Sequence, residues 1–171
     1  TTPFEFSEQT FGLLQKAQSI SEASDGAFDI TVGPLVNAWG FGPGGERQEP
    51  DGEQLAVLRE RVGFEKVVLE PDSRTATKKH PRIYCDLSAI AKGYGVDRVA
   101  EELDALGFEH YMVEVGGEIR AKGHNLEGRP WQIAIEKPVA GRRDLQHVIE
   151  LSGFTLATSG DYRNYRELDG R

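Results

Sequence analysis

The last third of the chain constrains the fold most strongly. From His110 onward, short apolar runs are separated by glycine-bearing turns: HYMVEVGGEIRAKGHN (110–125), WQIAIEKP (131–138), HVIELSG (147–153) and FTLATSG (154–160). The first run alternates enough for a hairpin or bent strand pair about Gly116-Gly117, and the other three read as strands. Upstream, KVVLEPDSRTATKK (66–79) predicts a strand, a Pro-Asp-Ser turn and a returning strand, while AFDITVG (27–33) and RIYCDL (82–87) each predict a further strand. Helical spacing is found in residues 7–24, where Phe11, Leu14, Ala17 and Ile20 share a face until Asp25-Gly26 ends the helix. It recurs in 53–62, with Leu55, Leu58 and Val62 as the stripe, and in the stretch beginning at Ser88. Residues 34–52, PLVNAWGFGPGGERQEPDG, are so rich in Gly and Pro that most of them read as loop. Roughly three helices thus stand among eight short strands, clustered rather than strictly alternating, which predicts an α+β fold and not a doubly wound sheet.

A chain of 171 residues, 38% hydrophobic and 28% charged, can bury a core of its own. Its 28 acidic and 20 basic residues leave a net charge of -8, which argues against a generic nucleic-acid binder but permits a local cationic site. No apolar run approaches the roughly 20 residues of a membrane span, and no signal-peptide pattern opens the chain. The start at Thr1-Thr2-Pro3, without Met, reads as a processed or trimmed boundary. The single Cys85 excludes an internal disulfide and a cysteine-built zinc site, and it reads as a small core residue. His80, His110, His124 and His147 lack metal-ligand spacing. Nucleophile-elbow, HExxH and Walker patterns are missing, and no GxGxxG follows a strand.

Four segments carry candidate chemistry. In DLSAIAKGYGVDRVAEEL (86–103), Ser88 is placed to cap a helix, and Ala91, Gly95, Val99 and Leu103 form an apolar stripe widened by Val96 and Ala100. Gly93 and Gly95 each cost such a helix about 1 kcal/mol relative to Ala. The reason is either packing against a sheet or room for a ligand. Lys92 opposes the helix dipole unless an anion sits there, so it is either a solvated lysine or an anion contact. Asp86 stands at a strand end, as a second capping group or as a ligand contact. In TVGPLVNAWGFG (31–42), Trp39 amid glycines covers either the local core or a flat ligand. Gly116-Gly117-Glu118 makes a tight turn with an acid beside it, and Ser159-Gly160-Asp161 could cap a helix or hold a phosphate.

Together, GAFDITVGPLVNAWGFG, DLSAIAKGYGVDRVAEEL, YMVEVGGEI-x-A-x-G and LATSGDYRNY, in this order and at these spacings, resemble the ApbE family of flavin transferases. The resemblance spans nearly the whole chain. It implies an ApbE-like (T-fold-like) domain over 1–171, truncated at both ends, with mixed or antiparallel sheets and a flavin site. It implies FAD as substrate and Mg²⁺ as cofactor. FMN would pass from FAD to a Thr or Ser hydroxyl of a target flavoprotein, such as a redox-pump subunit, with release of AMP. A FAD-binding or FAD-pyrophosphatase relative that modifies no protein is the alternative. By motif, Ala38, Trp39 and Gly40 would lie along the flavin, and Asp86 and Lys92 would contact FAD. Ala89 would give a metal ligand through its backbone oxygen. Gly116, Gly117, Glu118, Ser159, Gly160 and Asp161 would form pocket walls. Family chains continue past the RNY segment into a HIIDP-like motif and then Asp and Thr metal ligands. This chain is therefore expected to fold in large part but to transfer poorly as it stands, without the catalytic base. The resemblance further implies a location on the periplasmic side of the bacterial inner membrane, with a lipid anchor.

Overall fold

The structure, a computed structural model, describes residues 2–42, 49–139 and 144–160. It divides into two compact units, Thr1–Ile90 and Ala91–Arg171.

In the first unit, α1 (Glu8–Ala23) begins where the Ser7 side chain accepts the Thr10 N–H. It ends in a Schellman motif: Asp25 takes a positive φ, Gly26 N–H bonds Ser21 O at 2.8 Å, and Asp25 N–H bonds Glu22 O at 3.2 Å. Phe11, Leu14 and Ala17 are buried as the spacing predicts, but the fourth buried position is Ser21, whose hydroxyl turns back onto Ala17 O. The predicted hairpin is β2 (Val67–Glu70) paired with β3 (Thr75–Lys78), and β1 (Phe4–Glu5), which the sequence did not suggest, adds to β3 on its other side. The helix read over 53–62 is α3 (Gly52–Arg59), held by a reciprocal Asp51–Gln54 capping box. A single 3-10 turn, Phe64–Lys66, leads from it into β2.

Two predicted strands of this unit are not strands. In 27–33 the Asp29 carboxylate accepts both the Thr31 N–H and the Thr31 hydroxyl at 2.7 Å, and this local bonding turns the chain before any ladder can form. Residues 82–87 keep the alternation expected of a strand, with Ile83 buried and Cys85 and Leu87 packed on the core clusters. Among the described residues they have no ladder partner; the Asp86 N–H to Ile30 O bond of 2.7 Å ties them down instead, while the Lys78 ammonium holds the carbonyls of Pro81 and Ile83. Residues 34–38, read as loop, form the short helix α2 (Gly33–Ala38) together with Gly33, read as a strand end.

The second unit holds most of α4 (Ser88–Ala105), the antiparallel sheet β4–β5–β8 (Tyr111–Val115, Glu118–Lys122, Phe154–Leu156) and the hairpin β6–β7 (Trp131–Glu136, Leu145–Leu151). All four strand readings of the sequence hold here. Ile119, Ala121, Ile133 and Leu151 form the core, with Trp131, Ile149 and Leu156 against it. Trp131 also donates its indole N–H to Lys122 O at 3.0 Å, so a half-buried ring carries no orphan donor. On α4 the buried residues are Val96 and Ala100, while Ala91 is exposed and Val99 is about half exposed at 48%. The apolar stripe is therefore centred one residue away from the predicted one, on the pair that only widened it. Strands and helices segregate rather than alternate, and the fold is α+β.

Candidate functional site

In the first unit a buried polar knot sets the path of the chain into α2. Thr31, fully buried, donates to Asp29 Oδ1 and accepts the Gly63 N–H at 2.7 Å, and Asp29 Oδ2 accepts the Phe64 N–H at 3.0 Å. Two residues later, Gly33 lies so close under the Tyr84 ring that a Cβ there would collide with it, and the same Cβ would stand 3.5 Å from Asp86 Cβ. Pro34 occupies the first turn of α2, where its missing N–H costs nothing. The helix stops at Gly40, whose φ is 77°. Gly40 N–H bonds Asn37 O at 2.9 Å and Phe41 N–H bonds Val36 O at 3.0 Å, a second Schellman motif. The predicted Ala38-Trp39-Gly40 contact segment is thus a helix end of fixed shape, with all three residues half-buried.

Asp86 Oδ1 accepts the Ser88 N–H at 2.9 Å. The cap expected of Ser88 is supplied by Asp86, and Ser88 is itself the first helical residue. Ala89 follows in the first turn of α4. Its carbonyl keeps a second lone pair beyond the helical bond, the only donor capacity an alanine can offer a metal.

In the second unit the structure brings Lys92, Gly116, Gly117, Glu118 and Thr158 together. Gly116 and Gly117, with φ of 57° and 96°, form a two-residue hairpin turn between the paired Val115 and Glu118. The Gly117 N–H is held by Glu114 Oε1 at 2.7 Å, and the Gly117 carbonyl accepts the Thr158 hydroxyl at 3.3 Å. The Lys92 ammonium donates to Gly116 O at 2.9 Å and lies 2.6 Å from Glu118 Oε2. A groove of about 580 Å³ runs beside this turn, walled by Glu114, Gly116, Gly117, Glu136, Thr158, Ser159 and Gly160, with Ile119, Ala134 and Ile135 below. That volume lies within the range of small-molecule sites. Of the predicted wall residues, Glu118 stands behind the turn and does not line the groove, and Asp161 lies outside the described residues. The alternative of Gly93 and Gly95 packing on a sheet finds no support: among the described residues, a Cβ on either would meet no atom within 4 Å.

A charged ladder fastens α4 to β5. Arg120 pairs with Asp97 at 3.0 Å and Asp104 at 3.7 Å, and Lys122 pairs with Asp104 at 2.7 Å. The Lys122 bond holds the Asp104 carboxyl below the ordinary value, and the Lys122 ammonium is raised in turn by Asp104. Burial, then the bond to Asp104, push the Tyr111 phenol up, and burial pushes the Cys85 thiol up. Cys85 is accordingly a core residue without thiolate character.

Sequence reasoning missed the Asp29–Thr31 knot, the Tyr84–Gly33 contact and Thr158. The spacing D-x-T, an Asx-turn signature, could have flagged the first; the others depend on contacts distant in the chain. Among the described residues no group of three or more His, Cys, Asp and Glu side chains could hold a metal. Mg²⁺ commonly binds through one or two protein groups together with substrate phosphates and waters, and the Ala89 carbonyl fits only that mode.

Known proteins place this geometry in a family. The description "ApbE family" matches residues 1–171. An FAD:protein FMN transferase of Haemophilus influenzae is 50% identical over 174 residues, covering 99% of this chain and 50% of that protein. One from Escherichia coli K12 is 39% identical, covering 99% of this chain and 49% of that protein. The solved flavin transferase ApbE from Vibrio cholerae superposes with a TM-score of 0.83 at 47% identity, over 98% of this chain and 54% of that one. The ApbE protein of Thermotoga maritima superposes at 0.86 with 31% identity, over 100% and 55%. The chain belongs to the ApbE family. It spans about half the length of the curated relatives it matches.

Proposed function

We propose that the protein carrying this chain is an FAD:protein FMN transferase. The observation that carries this reading is the match along the whole chain to relatives bearing that name, at up to 50% identity. In the reaction, a Thr or Ser hydroxyl of a target flavoprotein attacks the FMN phosphorus of FAD. The new phosphoester bond forms as the bond to the bridging oxygen breaks, that electron pair leaves with AMP, and the hydroxyl proton passes to solvent or a base. Ala38, Trp39 and Gly40 would line the flavin, and Asp86 and Lys92 would contact FAD. Gly116, Gly117, Ser159, Gly160 and Asp161 would wall the pocket. One feature supports the Lys92 part of these assignments: the hairpin turn and Glu118 engage two of its three N–H groups, and one is left among the described residues for an anion.

Mg²⁺, with the Ala89 carbonyl as one ligand, belongs to the same reading; when bound it neutralises charge on the diphosphate. The reading also places the whole protein on the periplasmic side of the bacterial inner membrane, held by a lipid anchor, with a redox-pump subunit as the kind of target. Cell fractionation tests that location. For the reaction itself, the full-length protein is incubated with FAD, Mg²⁺ and an acceptor flavoprotein. A mass gain of one FMN on the acceptor is expected. An unmodified acceptor together with AMP release would replace the transferase by an FAD pyrophosphatase, and neither product would overturn both.

A further inference from the structure

The Lys92 side chain does not reach freely into solvent, although its side chain is 46% exposed. Its stem lies over the hairpin turn, so close that a Cβ on Gly116 would stand 3.0 Å from Lys92 Cδ. The ammonium has three N–H groups. One goes to Gly116 O and one faces Glu118 Oε2, which leaves one among the described residues. The Glu118 side chain is only 18% exposed, and its Oε2 is shut off from solvent with no regular hydrogen-bond donor. What compensates that oxygen is the Lys92 charge at 2.6 Å. A largely buried carboxylate whose one cationic neighbour among the described residues is Lys92 holds that neighbour firmly, because releasing it would strand the charge.

We propose that Glu118 is a positioning residue: together with the Gly116 carbonyl it holds the Lys92 ammonium in place for an anionic ligand group, and does not touch the ligand itself. The inference rests on the FAD reading for the identity of that ligand. It also gives Gly116-Gly117 a second purpose. A side chain at 116 would displace the lysine stem, so the turn that closes the hairpin is also the seat of the cation. Held this way, Lys92 contributes a directed N–H rather than an unpaired positive charge, since Glu118 already neutralises it at contact distance.

The test uses the full-length protein as wild type, Glu118→Gln and Glu118→Asp, the last keeping the charge on a shorter arm in case the amide variant folds poorly. First, without FAD, each is treated with a limiting N-hydroxysuccinimide ester, and acylation is read lysine by lysine by mass spectrometry. Lys92 should react about threefold faster in Glu118→Gln, by the modest strength of a partly exposed ion pair. Lys16 and Lys137 should not change, and Glu118→Asp should fall between. Second, FAD affinity by flavin fluorescence should weaken about tenfold in Glu118→Gln, the loss expected when one charged hydrogen bond is no longer aligned. Unchanged Lys92 acylation in Glu118→Gln overturns the tether. Faster acylation with unchanged FAD affinity overturns the positioning role. A wild-type protein that binds no FAD overturns the transferase reading instead, whatever the acylation shows.

Discussion

Replacing Thr31 by Val is the sharpest probe of how the first unit is held together. The two side chains have nearly the same shape, so the change removes a hydroxyl from a fully buried site and little else. The Gly63 N–H then loses its acceptor at 2.7 Å, and Asp29 loses one of the donors around its carboxylate. An unsatisfied buried N–H costs about 1–3 kcal/mol, and a hydrogen bond to a charged group contributes about 1.5–3 kcal/mol. The two losses share one hydroxyl and do not add fully, so about 2–4 kcal/mol is expected. For a chain of this size that lowers the melting temperature by roughly 5–15 °C. Thr31→Ser is the control. It keeps both bonds and deletes one methyl group, at a cost of about 1 kcal/mol. Urea and thermal unfolding of both variants, followed by circular dichroism, decide the matter. If Val is tolerated as well as Ser, the knot is not what fixes the turn into α2.

Two further outcomes follow from the geometry. Gly33→Ala should destabilise by about 1–3 kcal/mol through collision with the Tyr84 ring, and Tyr84→Ala should recover most of the loss in the double variant, by thermal melting. Asp104→Asn should lower stability in a pH-dependent way. The Asp104 carboxyl sits below its ordinary 3.8, so its contribution is present above that value and lost as pH falls through the lowered folded one. The raised Lys122 (from 10.5) and Tyr111 (from 10.0) contribute below those values and lose their contributions as pH rises through the raised ones. The gap between wild type and variant should therefore close at both ends of a pH series of urea titrations. A gap that stays constant across the series would refute the ladder.

How much of this the sequence discloses depends on whether the deciding bonds are local. The hairpins about Pro71-Asp72-Ser73 and Gly116-Gly117 are legible because turn chemistry and alternation coincide within a few residues. Residues 82–87 mislead for a physical reason: alternation reports which side chains face a core, and Ile83, Cys85 and Leu87 do, but it does not report whether a neighbouring strand exists to pair with. Residues 34–38 mislead in the opposite sense. Proline in the first turn and glycine just past the end are helix punctuation, yet among so many glycines they read as loop. At the site, the sequence marks Lys92 as an anomaly and Gly116 as a turn residue twenty-four positions on, and only the folded β4–β5 turn shows that they answer one another.

The two glycines of α4 separate stability from binding more cleanly than any polar residue here. Gly33 and Gly116 are pinned by neighbours, so substitution there damages the fold and any ligand site at once. Gly93 and Gly95 are not pinned. A Cβ on either would meet nothing within 4 Å among the described residues, and helix propensity favours Ala by about 1 kcal/mol at each position. Sequence and packing alone therefore give no reason to keep glycine. Under the FAD reading, the surface these residues leave bare is where the ligand approaches the helix. Gly93→Ala and Gly95→Ala in the full-length protein should then raise the melting temperature by a few degrees while weakening FAD binding severalfold. A structural role for the glycines predicts that stability falls. An incidental one predicts that stability rises with FAD affinity unchanged, and either result would remove the Gly93–Gly95 face of α4 from the ligand site.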